Sequence, residues 1–253
     1  MEYHSLRRIP RDFREGVDWL IALKGTYPEL TMQALSDAIH RLLVDKPVGF
    51  TELPCLEKVK HISQQFLEQK EFKGDPFVEM LLKRYNTPMD KQPMGLSKTL
   101  GFYLESDYKN IIEAHGVRPE SIARSLGRVV RGYEKFLEDI KHPDHYRPTY
   151  SSRATWDASC AKDPEACAII FVGIAPMLFT GLLYLQETSV DAIRGGRHSE
   201  EEQELGSVLT TLGYLKPERS EKMSGLAVRT ALRDLGDDAL NILYDLAGFW
   251  AFY

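Results

Sequence analysis

ACAIIFVGIAPMLFTGLLYL, residues 166–185, carries no charged side chain from end to end. Its length suits a bilayer span, which needs about 20 apolar residues. Gly173, Pro176 and Gly181 interrupt it, and its flanks give only a weak orientation bias. The segments around it are amphipathic, so each presents an apolar stripe that something must cover. A helix that is apolar on every side, set at the centre of the fold, meets that need. A buried core helix over about residues 166–187 is therefore preferred to a membrane span, and Pro176 is expected to kink it.

On both sides of this stretch the dominant hydrophobic period is helical. Residues from Pro10 to Lys24 place Phe13, Val17, Leu20 and Ile21 on one face before Gly25. Leu30 to Leu43 repeats the pattern, and Pro54 opens a third segment with Leu56, Val59, Ile62 and Phe66 inward. Asp75-Pro76 reads as a cap and first-turn proline. Residues 86–105 hold Pro88, Pro93, Gly95 and Gly101 and read as a long loop; Ser106 then caps a short helix ending at Gly116. The clearest helix is Pro119 to Lys141, whose Ile122, Leu126, Val129, Val130, Tyr133, Leu137 and Ile140 recur at about 100° per residue. Beyond the apolar stretch, Gly195-Gly196 turns the chain, and Ser199 and Glu202 have capping-box spacing ahead of a helix that Gly213 stops. Helices over Ser224–Leu235 and Asp237–Phe252 complete an all-α, multi-helix globular bundle. A single domain is expected, with a candidate subdomain boundary at the proline-containing connector 142–150.

A net charge of −5 argues against nucleic acid and anionic membranes as partners. Three cysteines are too few for a disulfide scaffold. Cys160 and Cys167 are too far apart to bridge within one helix, but a helix that begins at Pro164 leaves Cys160 in the preceding loop, free to fold back. A disulfide and two reduced thiols both remain open. His142-Pro143-Asp144-His145 invites a metal reading, yet nothing nearby supplies matching ligands, and cations after a helix C-terminus are favoured by its dipole. Arg124, Arg128, Arg131 and Lys135 form a stripe opposite the apolar face of their helix. That stripe is the candidate docking surface for an anionic protein or glycan partner, against the plainer reading of a solvated face diluted by Glu120, Glu134 and Glu138. Carboxylates at Glu200–Glu202 and Asp237-Asp238 sit at helix starts, where negative charge is stabilising. Nucleophile-elbow, phosphate-loop, dinucleotide and zinc-protease patterns are missing, so the expectation is a protein that is not an enzyme and takes no cofactor and no metal.

Three segments carry a family resemblance. Ile9-Pro10-Arg11-Asp12-Phe13-Arg14-Glu15-Gly16-Val17-Asp18-Trp19-Leu20 resembles a Pro-x-(Asn/Asp)-Leu-Lys-Glu-(Ala/Gly)-Ile-Asp-Trp opening. Cys167 to Leu185, with Phe171-Val172-Gly173-Ile174-Ala175-Pro176 and Gly181-Leu182-Leu183-Tyr184-Leu185, resembles a Phe-Leu-Gly-Cys-Leu-Pro…Leu-x-Tyr-Leu element. Leu209 to Gly225, with Leu212-Gly213-Tyr214 and Met223-Ser224-Gly225, resembles a Met-Gly-(Phe/Tyr)…Gly-Ser segment. In this order the three are similar to the variant erythrocyte surface antigens of Babesia-type piroplasm parasites. The resemblance implies a lineage-specific multigene product, displayed on or exported to the infected red cell. The roles it implies are antigenic variation and adhesion to host endothelium. It implies no catalytic residues. The sequence lacks those antigens' C-terminal membrane span and their cysteine- and lysine-rich regions, which fits a soluble relative or a module of a larger product. Met1–Pro10 has no apolar region after it and no Asn-x-Ser/Thr acceptor occurs. These features favour the alternative, an intracellular helical scaffold or protein-binding protein in the parasite cytoplasm.

Overall fold

The computed structural model describes residues 2–91, 104–140, 146–214 and 223–253. Among them helix dominates and no strand forms; the one β-type contact is an isolated parallel bridge between Tyr3 and Tyr150. The chain is all-α. Helix α1 (Phe13–Lys24) starts later than Pro10 suggested because Asp12 is its N-cap, accepting the Glu15 N–H at 2.8 Å. Helices α2 (Pro28–Leu43) and α3 (Pro54–Leu67) both open on a proline. Helix α4 (Pro76–Asn86) is capped by the Asp75 carboxylate, which accepts from Phe77 and Val78 N–H. Most of the expected 86–105 loop, residues 92–103, lies outside the described residues. Instead of one short helix from Ser106 to Gly116 there are two, α5 (Glu105–Tyr108) and α6 (Ile111–Ala114). The Asn110 side chain accepts the N–H groups of Ile112 and Glu113 and so starts a second helix there.

Helix α7 (Pro119–Ile140) follows, then the short α8 (Trp156–Ser159). Helix α9 (Pro164–Gly195) is the apolar one. It opens at Pro164 behind an Asp163 cap, and it continues past Glu187 to Gly195 because Thr188, Ser189 and Ala192 are still buried against neighbours. Helix α10 (Glu200–Thr211) carries half of the expected capping box. Ser199 Oγ accepts the Glu202 N–H at 3.1 Å, whereas the Glu202 carboxylate reaches the His198 N–H at 2.7 Å, one residue short of the reciprocal bond. Helix α11 (Gly225–Ala231) tightens into a 3₁₀ turn at Leu232–Asp234, so it is shorter than Ser224–Leu235. The expected helix from Asp237 to Phe252 is two helices, α12 (Asp237–Asp245) and α13 (Phe249–Phe252). Gly248 separates them at φ +69°, a left-handed conformation that ends a helix.

Helix α9 touches α1, α2, α3, α10, α11 and α12. It is long and apolar enough to cross a membrane, with a mean hydropathy of 2.3 in its most apolar window, and 83% of that window is buried inside this fold. Phe171, Ile174, Leu178 and Leu182 have no exposed surface, and each such side chain contributes about 1.5–3 kcal/mol on burial. Two glycines let its neighbours approach. A Cβ at Gly173 would sit 2.5 Å from Val59 Cγ1, and one at Gly181 would overlap the Phe13 ring. The helix runs unbroken through Pro176. It packs beside the C-terminal segment through Phe179, whose ring lies 5.2 Å from that of Tyr244.

A second hub is α7, which packs on α1, α2, α11 and α12. The buried apolar side chains form one cluster drawn from both sides of the 142–150 connector, from Tyr3 to Tyr253. Of that connector only 146–150 is described.

Candidate functional site

Because the apolar stripe of α7 is buried at Ile122, Leu126, Val129, Val130, Tyr133 and Phe136, its opposite face must point outward. Arg124, Arg128, Arg131 and Lys135 are all exposed there. The stripe is not uniform in charge. Arg128 pairs with Asp238 at 3.5 Å and Lys135 with Asp234 at 2.5 Å, and the Lys135 ammonium holds the Asp234 carboxyl below its ordinary pKa. Among the described residues Arg124 and Arg131 have no carboxylate partner. Beside Arg128 an open cleft of 310 Å³ is lined by Ser125, Arg128, Arg233, Asp234, Asp237 and Asp238. Both signs meet in it, so its field favours a partner that also presents both signs over a polyanion such as a sulfated glycan. The acidic half comes from the start of α12 and the turn before it, about a hundred residues downstream. Sequence spacing gave Asp237-Asp238 a capping role and no link to the stripe.

The second site expectation concerned cysteine. Cys160 and Cys167 are joined by a disulfide, with Cα atoms 5.9 Å apart and both residues fully buried. Cys160 follows α8, and the turn Ala161–Asp163 folds the chain back onto the first turn of α9. Cys55 is free and exposed.

Several buried polar groups had no signal in the sequence. Arg84 Nη1 and Nη2 donate to the Asp107 carboxylate at 2.8 and 3.1 Å, and the Tyr244 hydroxyl joins both at 2.6 and 2.8 Å. The guanidinium also lies over the Phe249 ring at 4.8 Å. The pair therefore ties α4, α5, α12 and α13 together. Helix α13 is too short to bond its own carbonyls. Phe249 O accepts from Lys91 Nζ at 2.6 Å, Trp250 O from Gly49 N–H at 2.9 Å, Ala251 O from Thr51 N–H at 2.7 Å, and Phe252 O from Lys60 Nζ at 2.6 Å. Burial lowers the pKa of both ammonium groups, that of Lys91 to about 8. These donors satisfy the backbone of a core segment.

On the far side, Asp18 is buried in α1 and accepts from the Tyr146 hydroxyl and, at 2.8 Å, from the Thr149 N–H. Arg14 donates to the Arg147 carbonyl and stacks over the Tyr146 ring at 5.0 Å. The strap 146–151 is thereby fastened across α1. Burial raises the pKa of both carboxyls here, that of Asp12 to about 6. Among the described residues no group of three His, Cys, Asp or Glu side chains converges as metal ligands. The His142–His145 pair lies outside the described residues. No protein-family model, curated protein or solved structure matches the chain.

Proposed function

We propose that the chain is a non-enzymatic host-interaction module of an infected red cell, of the variant erythrocyte surface antigen kind. The observation that carries this reading is the ordered set of three resembling segments. Their positions in the fold add to it. Phe13 fills the gap at Gly181, Gly16 faces Leu178, the Arg14 N–H bonds the Leu212 carbonyl at 3.1 Å, and Gly225 lies against the backbone of Ser189. The first segment therefore meets both of the others inside the bundle, and the third ends against the continuation of the helix that carries the second. A motif set made of core contacts specifies a scaffold and leaves the outer helix faces free to differ between sister copies. That is what an antigenically varied surface requires. The charged groups of the core also support a non-enzymatic role, since the buried Arg84, Asp107 and Lys60 and the half-buried Lys91 are engaged in holding backbone and side chains together.

On this reading the mixed-charge face of α7 and the cleft at Arg128 are the surface offered to a host protein. The test is surface labelling of intact infected cells with an antibody to the folded chain. Labelling before permeabilisation is the expected result. Protein detected only inside the parasite would overturn the reading in favour of an intracellular helical scaffold.

A further inference from the structure

We infer that the Cys160–Cys167 disulfide is a redox latch on the N-terminal segment 3–8, a role independent of the host-interaction reading. The bond closes a small ring, its cysteines seven positions apart, on the N-cap of α9. The N-terminal segment is fastened to that ring and to the residue before it. Ser159 Oγ accepts the Leu6 N–H at 3.0 Å and contacts Ser5 Oγ at 3.3 Å. The Ser159 carbonyl accepts Arg7 Nε at 2.9 Å, and Asp163, inside the ring, pairs with the Arg7 guanidinium at 2.7 Å. Leu6 is fully buried and its carbonyl accepts the Trp19 indole N–H at 2.7 Å. At its other end the segment is held by Tyr3, whose N–H and carbonyl bond Thr149 and Ser151 at 2.7 and 2.8 Å.

The ring thus fixes the donor and acceptor geometry that residues 5–7 need, while the body of α9 is held by its own helix and its own neighbours. Reduction by a dithiol transfers two electrons and two protons. The dithiol leaves as its disulfide, and Cys160 and Cys167 become thiols. With the ring open, Asp163 can drift from Ser159, the residue that precedes the ring, and the segment loses its common anchor. Where thiols are kept oxidised the latch is closed; in a reducing cytosol it opens. Both cysteines are buried, so exchange with a dithiol requires the local opening that the bond itself suppresses, and the closed form persists outside cells.

The segment supplies its own reporter, because Arg7 and Arg8 are exposed trypsin sites. The whole chain is digested briefly with trypsin in its oxidised form, after reduction by dithiothreitol, and as the Cys160→Ser/Cys167→Ser variant, with far-UV circular dichroism recorded on each. Restoring the chain entropy of so short a ring raises the open population roughly 50- to 100-fold. Cleavage after Arg7 or Arg8 is expected to accelerate by that order on reduction and in the variant, with helix content retained and Leu6 amide protection lost in parallel. Equal cleavage rates would overturn the latch. Collapse of the helical signal on reduction of the wild-type chain would also overturn it, since the bond would then be a staple of the whole fold. Should the serine variant fail to fold, the reduced wild-type chain decides between these outcomes.

Discussion

Removing either member of the Arg84–Asp107 pair should strand the other's charge in the core. Asp107 is fully buried and Arg84 is 5% exposed, so water cannot replace the missing partner. Loss of one partner of such a pair costs about 3–5 kcal/mol, a large share of the roughly 5–15 kcal/mol that stabilises a folded domain. Asp107→Ala leaves the guanidinium with the Tyr244 hydroxyl and Met80 Sδ as its remaining hydrogen-bond partners, and removes the acceptor of the Leu104 N–H as well. Arg84→Ala leaves the carboxylate with Tyr244 and Leu104 alone. The double variant buries no unpaired charge. Residues in direct contact couple by up to about 3 kcal/mol, so the double should cost well below the sum of the singles. Tyr244→Phe, which deletes hydrogen bonds to charged groups, should cost about 1.5–3 kcal/mol. Urea unfolding followed by circular dichroism measures all four, with the midpoint shifting at unchanged slope. Additive singles, or singles below about 1 kcal/mol each, would refute the assignment of this network as a core tie.

Acidification supplies a second check. The Asp12 carboxyl has a folded-state pKa near 6 against 3.8 for an ordinary aspartate, so the folded chain binds the proton more tightly than the unfolded chain does. Stability should therefore fall as pH rises from about 4 to 6, by on the order of 2–3 kcal/mol. Asp12→Asn, which keeps a capping side chain, should flatten that part of the profile in urea titrations at several pH values; an unchanged profile would exclude Asp12 as its source. On the α7 face, Arg124→Glu/Arg131→Glu should leave the melting temperature within about ±0.5 kcal/mol equivalent while weakening attachment to host cells in a binding assay. Unchanged attachment would remove this face from the proposed contact surface. Lys135→Ala and Arg128→Ala should each cost under about 1 kcal/mol, because their ion pairs are solvent-exposed.

The parts of this fold legible in the sequence are those with a local physical signal. Hydrophobic period located the helices, Asp75-Pro76 marked one start, and the charge-free run picked out the central helix. The misread boundaries have equally local causes that a propensity reading passes over. Asn110 competes for backbone donors and splits a helix in two, and Gly248 turns left-handed between Asp245 and Phe249. What the sequence hid are the pairings that depend on the finished packing. Arg84 meets Asp107 and Tyr244 across 23 and 160 positions, and Lys135 meets Asp234 across 99, with no spacing rule to join them. The candidate site changed character for that reason. Four cations on one helix face were visible beforehand, but the carboxylates that divide them belong to another helix and the turn before it. The disulfide was open on spacing alone until the chain's path through Ala161–Asp163 closed it.

Residues 166–185 form the core of the helical bundle, and Ile174→Asp in detergent-free buffer probes that placement. Ile174 has no exposed surface, and an unpaired carboxylate there has no partner to compensate its burial. The expected result is loss of cooperative thermal unfolding by circular dichroism, beside a wild-type chain that stays in solution without detergent, is helical and unfolds in one transition. An Ile174→Asp chain that melts cooperatively at the wild-type temperature would contradict it, as would a wild-type chain that needs detergent to stay in solution.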